Sequence, residues 1–273
     1  MQDDRWQQGN SVQGRLRQMH FDSTTAYKAW LESIQQDVPL RDDLCFGDVA
    51  TARRGLQLLD SPDDTNIDQA RALLAQFGES IEVEQQVWSH SVVGYFPDVP
   101  AYLAGDPEHM MVREFIRSDQ TPLRVWVGVT SSAGIGESQL VKRGVTLTAF
   151  AMAMIARRPV IISPYVNLGN YNNNAGAIIS WDISTEPLVL AELITSIARP
   201  EVTRHIGIYA CYALQPKCTG AWDPDYADEE RCRDRLGAKP EDLWLGSIHF
   251  SDPLLRDPVG WIKEHVARYS SED

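Results

Sequence analysis

Apolar residues recur along this chain at two different periods. In "DSTTAYKAWLESIQQ", Ala26, Tyr27, Trp30, Leu31 and Ile34 fall at helical spacing behind a cap, Asp22 or Ser23. "FGDVATARRGLQLLD" repeats the device, with Asp48 as the cap and Val49, Ala52, Leu56 and Leu59 as the stripe. A third helix starts near Asn66 in "SPDDTNIDQARALLAQFG" and stops at Gly78, since glycine suits the left-handed position past a helix end. The period then drops to alternation. "IEVEQQVWSHSVVGYF" predicts a strand or hairpin around Val83 to Phe96, and "PDVPAYLAGDPEHMM" a turn-rich connector with a short helix from Pro100 to Ala104.

From residue 121 the pattern changes to continuous apolar runs alternating with helical stripes. "LRVWVGV", "PVIISPYV", "AGAIISWDI", "HIGIYACYAL" and "DLWLGSIHF" read as strands. "SQLVKRGVTLTAFAMAMIARR", "TEPLVLAELITSIA" with Pro187 in its first turn, "YADEERCRDRL" and "DPVGWIKEHVARY" read as helices. Strands alternating with such helices imply an α/β fold, a mainly parallel sheet covered by helices on both faces. The "NLGNYNNN" loop is too short for a crossover, so the strands around it form an antiparallel hairpin, expected at a sheet edge. The division expected is residues 1–120, helical and β-hairpin, and 121–273, one three-layer α/β unit.

Composition narrows the function classes. The 273 residues carry 38 acidic and 25 basic side chains, a net charge of -13. That field opposes non-specific nucleic-acid binding and adhesion to anionic membranes, despite the basic "TARRG" and "VKRG". No apolar run reaches the roughly 20 residues needed to span a bilayer, and the polar, acidic amino terminus is unlike a secretory signal. The expectation is a cytoplasmic protein. Cys45, Cys211, Cys218 and Cys232 contain no CxxC pair; zinc through the last three would need looser spacing than structural sites use, and ordinary reduced thiols are the simpler reading.

The candidate chemistry gathers at "GVTSSAGIGES", where a strand runs through hydroxyls and glycines into a helix. The order strand, hydroxyl turn, helix, strand, hairpin, helix, strand, helix, strand, helix resembles a von Willebrand factor A domain. That family holds a divalent cation on an Asp-x-Ser-x-Ser turn, a Thr before a later helix and a further Asp. The resemblance puts Thr130 and Ser132 in the hydroxyl places and Thr185 in the Thr place, with Gly128 where the first Asp belongs. Asp223 lies too far along the chain to supply the late acid. A hard cation needs carboxylate ligands, so the resemblance implies a degenerate metal site: no cofactor beyond a weakly held divalent cation. "WSHSVVGYFPDVPAYLAGDPEHMM" followed by "LRVWVGVTSSAGI" is also similar to an uncharacterised family encoded mostly by bacteriophages, over roughly residues 45 to 170. This implies a place in the host cytoplasm or the virion.

Other chemistries are less complete. The turn lacks the Gly-Lys-Ser/Thr ending of a phosphate loop, Lys142 and Arg143 coming only inside the helix. No G-x-S-x-G elbow surrounds Ser131 or Ser132, and His205 begins a predicted strand. A Ser132–His249–Asp252 hydrolase stays open because strand ends converge at one edge of an α/β sheet. Asp223, Asp225, Asp228, Glu229 and Glu230 read as a solvated face rather than a calcium loop. Trp126, Trp181 and Trp244 belong to predicted strands and to the core, whereas Trp222 and Tyr171 sit in polar loops and are candidate contact anchors. The leading expectation is a non-enzymatic module that binds a protein partner or assembles with itself; the alternatives are the hydrolase and a nucleic-acid-associated protein.

Overall fold

The computed structural model describes residues 15–35, 37–40, 48–76, 88–92, 96–113, 121–131, 134–155, 157–170, 175–183, 189–216 and 229–270. A strand, β1 (Arg15–Phe21), precedes three helices, α1 (Thr24–Ile34), α2 (Val49–Asp60) and α3 (Ile67–Ala75). Two caps read from the sequence are in place. Ser23 Oγ accepts the Ala26 N–H at 3.1 Å and Asp48 Oδ1 the Thr51 N–H at 2.6 Å, satisfying donors that a first helical turn leaves unpaired. Gly78, the expected stop of α3, and Val83 lie outside the described residues.

A small antiparallel sheet follows, with β2 (Trp88–Ser91), β3 (Phe96–Pro97) and β4 (Met110–Arg113) in the order β2-β4-β3. The hairpin expected around Val83 to Phe96 is therefore not a pairing of β2 with β3. Each instead pairs with β4, which grows from the end of the stretch read as a connector. The short helix of that connector, α4 (Val99–Leu103), is capped by Asp98.

The remaining elements are β5 (Leu123–Gly128), α5 (Glu137–Ile155), β6 (Val160–Asn170), β7 (Ala175–Trp181) and α6 (Leu190–Ala198). After them come a π-helical segment (Glu201–Ile206), α7 (Gly207–Leu214), α8 (Glu229–Leu236), β8 (Leu243–Leu245), α9 (Pro253–Arg256) and α10 (Pro258–Ser270). The main sheet runs β1-β7-β6-β5-β8. Only β6 and β7 pair antiparallel; the other three pairings are parallel. The fold is α/β, on a mixed and mainly parallel sheet.

Two expectations are corrected. "HIGIYACYAL" is helical, not a strand: the π-helical segment passes directly into α7. A short apolar run fits a buried helix as well as a buried strand, and this one is buried from both sides. Cys211 lies against the carbonyls of Val166 and Ala177 in the sheet, while the Tyr209 hydroxyl donates to Val38 O at 2.6 Å. The hairpin is antiparallel as the short loop requires, yet it is not the sheet edge. β1, from before residue 120, covers β7 in parallel, from Arg15 opposite Ala175 to Phe21 opposite Trp181.

Side chains alternate across the strands, which gives the sheet two different faces. On one, Val125, Val127, Ile162, Val166 and Ile179 enter the main core with residues of α5, α6 and α7. α5 and α6 touch closely there, a Cβ on Gly144 falling 2.3 Å from that of Ala198. On the other face lie Arg124, Trp126, Tyr165 and Asn167, and α8 packs over them. Asn167 Nδ2 meets Cys232 Sγ at 2.9 Å, and Gln18 Nε2 donates to Arg235 O at 2.8 Å.

Candidate functional site

Beyond Gly128 the chain continues in line with β5 as far as Ser131, which bridges to Ile248 beyond β8. The two described hydroxyls of this turn, those of Thr130 and Ser131, are committed to holding it. Thr130, buried, accepts the Asn167 N–H on Oγ1 at 3.3 Å, and its carbonyl accepts the Ile248 N–H at 3.1 Å. Ser131 Oγ accepts from Arg204 Nε at 2.9 Å, and the same guanidinium also donates to Ile135 O.

A cation from the protein itself fills the space between the ends of β5 and β8. Arg143 reaches from α5, fully buried, and donates to the carbonyls of Gly128 and Gly246, the latter at 2.6 Å. Its Nε lies 3.5 Å from Asp252 Oδ2. Burial lowers the pKa of this guanidinium, and the charge of Asp252 opposes that fall. Asp252 also caps α9, its Oδ1 accepting the Leu254 N–H at 3.0 Å. Gly128 is required by space: a Cβ there would lie 2.8 Å from both the Gly246 carbonyl carbon and the Tyr165 hydroxyl.

Of the residues singled out from sequence, Gly128 and Asp252 thus meet at Arg143, Thr130 follows two residues on in the same extension of β5, and His249 lines the cavity there. Ser132, Thr185, Tyr171 and Trp222 lie outside the described residues, as do Asp223, Asp225, Asp228, Cys45, Cys218 and Pro187. Glu229 and Glu230 open α8 on the surface. His205 sits in the π-helical segment rather than at a strand start. Cys211 and Cys232 pack against opposite faces of the sheet, so they cannot ligate one zinc ion. Among the described residues no three His, Cys, Asp or Glu side chains are placed to hold a metal.

The edge opens into a cavity of about 460 Å³. Its floor is Arg143, Tyr165 and Asn167, and Trp244 and Trp261 form walls. Tyr165 stacks on Trp244 with ring centroids 4.8 Å apart, and Trp261 on His265 at 4.1 Å.

A second polar cluster, at the opposite end of β5, escaped the sequence reading. Arg124 donates to both oxygens of Asp182, at 2.7 and 3.3 Å, and to Ser163 Oγ at 2.7 Å. The Ser163 hydroxyl in turn donates a hydrogen bond to Asp182 Oδ1 at 2.6 Å. His20, opposite Ser180 in the β1–β7 ladder, places Nδ1 2.9 Å from Ser180 Oγ and Nε2 3.5 Å from Asp182. Burial works to raise the Asp182 pKa, but bonds from His20, Ser163 and Arg124 outweigh it and hold the carboxyl at about 2. One signal was available: an arginine inside the apolar run "LRVWVG" needs a partner, because an unpaired buried charge is costly.

Residues 10–267 match the model of a family described as a domain of unknown function, DUF7192. The chain belongs to that family. Neither a curated protein nor a solved structure matches it. No described helix is long and apolar enough to cross a membrane.

Proposed function

We propose that the chain is a non-enzymatic binding or assembly module, a von Willebrand A-like domain with a degenerate metal site. It engages a protein partner or further copies of itself in a phage-infected cell or a virion. The observation that carries this reading is Arg143. At the edge where the resemblance puts a divalent cation, an internal guanidinium bonds Gly128 O and Gly246 O and faces Asp252. A fixed positive charge there repels a second cation, and Gly128 has no space for the missing carboxylate. The hydroxyls of Thr130 and Ser131 serve the fold, and Asp252 is occupied with Arg143 and the α9 cap, which argues against its orienting a catalytic histidine.

A contact surface is available away from this edge. Val99, Tyr102 and Leu103 of α4 are 57%, 60% and 77% exposed, a concentration of large apolar groups of the kind that marks interaction sites. The reading is tested by sedimentation across a concentration series and by cross-linking in infected-cell extract, with the wild type beside a Tyr102→Ser, Leu103→Ser variant. Association that the variant loses supports it. Ester or phosphoester turnover that disappears in His249→Ala would replace it with the hydrolase, and salt-sensitive oligonucleotide binding with the nucleic-acid reading.

A further inference from the structure

We infer that the cavity between β1, the start of β5 and the turn joining α8 to β8 is a binding site for a small phosphate monoester. This inference is independent of the reading above. β1 and β7 run against β5 and β6, so the carboxyl ends of one pair meet the amino ends of the other on this side of the sheet. The space there is about 430 Å³, that of a small-molecule site, and Gln18, His20, Arg124, Trp126, Lys239 and Asp242 line it.

Arg124 selects the ligand. Both protons of Nη1 and one of Nη2 are spent on Asp182 and Ser163. The Trp126 ring lies against the guanidinium face, its centroid 5.1 Å from Cζ. The Nε–H and the neighbouring Nη2–H remain. They have no hydrogen-bond partner among the described residues, and with the side chain 26% exposed this edge is not buried. Two parallel N–H groups of this kind match two oxygens of a carboxylate or a phosphate. Asp182 and Trp126 already hold the guanidinium in place, so binding costs it little further freedom. A carboxylate is used up by that pair, whereas a phosphate monoester keeps a third oxygen for another donor. Lys239, exposed on the same cavity and without an ion-pair partner among the described residues, supplies it. Its turn is pinned: the Ala238 N–H donates to Arg233 O at 2.9 Å and the Lys239 N–H to Asp242 Oδ2 at 2.8 Å. Asp242 is the one carboxylate among the described lining residues; it is buried, and its Oδ2 also accepts from Trp126 Nε1 at 3.0 Å. Arg158 adds a positive charge behind the wall, donating to Thr121 O. The volume beyond one phosphate group is room for the organic part of the ester.

The probe is glycerol phosphate, titrated calorimetrically into the full chain beside inorganic phosphate, which lacks the organic group, and glycerate, which carries a carboxylate instead. Saturable one-site binding of glycerol phosphate is expected, with inorganic phosphate a few-fold weaker and glycerate at least about tenfold weaker. Lys239→Gln, an exposed change that leaves the core intact, should weaken glycerol phosphate by about three- to tenfold. Lys263→Gln, on an exposed lysine of α10 outside the cavity, controls for attraction to the overall charge and should change nothing. Arg124→Lys keeps the charge without the paired donors and should abolish measurable binding. In the wild type, the arginine Nε–H NMR signal that Arg124→Lys lacks should shift on saturation, which an arginine serving the fold alone would not show. An unmoved Nε–H signal, affinity unchanged in Lys239→Gln, equal loss in Lys263→Gln, or no saturable binding would each overturn the site. Glycerate binding as tightly as glycerol phosphate would overturn the assignment to phosphate, and inorganic phosphate binding as tightly would overturn the ester.

Discussion

Arg124 and Asp182 face one another across β6, and Ser163 of that intervening strand bonds to both. Three strands are thereby tied together by one guanidinium, one hydroxyl and one carboxylate. The pH dependence follows from the carboxylate. Its pKa falls from an ordinary 3.8 to about 2 on folding, so it contributes stability that is fully present above pH 4 and lost as pH drops through about 2. The linkage amounts to about 2 kcal/mol. Urea unfolding from pH 7 to pH 2 should show Asp182→Asn less stable by about that amount at pH 7. The gap to wild type should close at the acid end. A constant gap would mean that folding leaves the pKa of this carboxyl unshifted.

Gly128→Asp supplies the acid that the resemblance lacks, and the geometry says that it fails. Its Cβ would collide with the Gly246 backbone and the Tyr165 hydroxyl, so the variant should lose about 1–3 kcal/mol in thermal melts. Calorimetric titration with Mn²⁺ should show no binding. A folded variant whose melting point climbs with millimolar Mn²⁺ would establish that a metal site had been one carboxylate away.

Arg143→Met removes the buried cation while keeping much of its length. Two carbonyls lose their donor and Asp252 its partner, which puts the expected cost at about 3–5 kcal/mol by urea unfolding. Arg71→Ala, on a 61% exposed arginine paired with Asp68, should cost under about 1 kcal/mol. Equal effects would deny Arg143 its structural place.

Gly144→Ala separates propensity from packing by sign. In an open helix the change gains about 1 kcal/mol. Here the new methyl would sit 2.3 Å from Ala198 Cβ, and melting should instead show a loss of about 1–3 kcal/mol. A gain would mean that α5 and α6 can part at no cost.

Helices with a polar side and a clear cap were legible in the sequence: Ser23 and Asp48 start α1 and α2 where their side chains said they would. β5, β6 and β7 were legible from their unbroken apolar runs, and β8 formed within one such run. α7 was not, because its residues are apolar or aromatic all round and mostly buried, leaving no polar stripe to distinguish a helix from a strand. β1 was missed for a related reason. Its alternation of Arg17, Met19 and Phe21 with Gln18 and His20 contains polar residues on both sides, since each side meets a different helix layer. At the site, the hydroxyl turn was visible. Arg143 was seen only as a lysine-like charge inside a helix, and nothing in spacing alone says that such a side chain will fold back to the strand ends. The pairing of Arg124 with Asp182, 58 residues along, depends on a sheet order that the sequence does not state.

The pairing of β1 with β7 sets the order in which this chain can be completed during synthesis. Met19 stands opposite Ile179, so β1 has no ladder to join until roughly 160 residues later in synthesis. At ordinary rates of about 5–20 residues per second that wait is about 10–30 s. Throughout it, the hydrogen-bonding edge of β1 and the side chains of Met19 and Phe21 have no sheet to cover them. Nascent chains arrested before residue 175 should therefore be caught by chaperones, and those arrested far enough past residue 181 for β7 to emerge should be released, because such an uncovered strand is what other chains pair with.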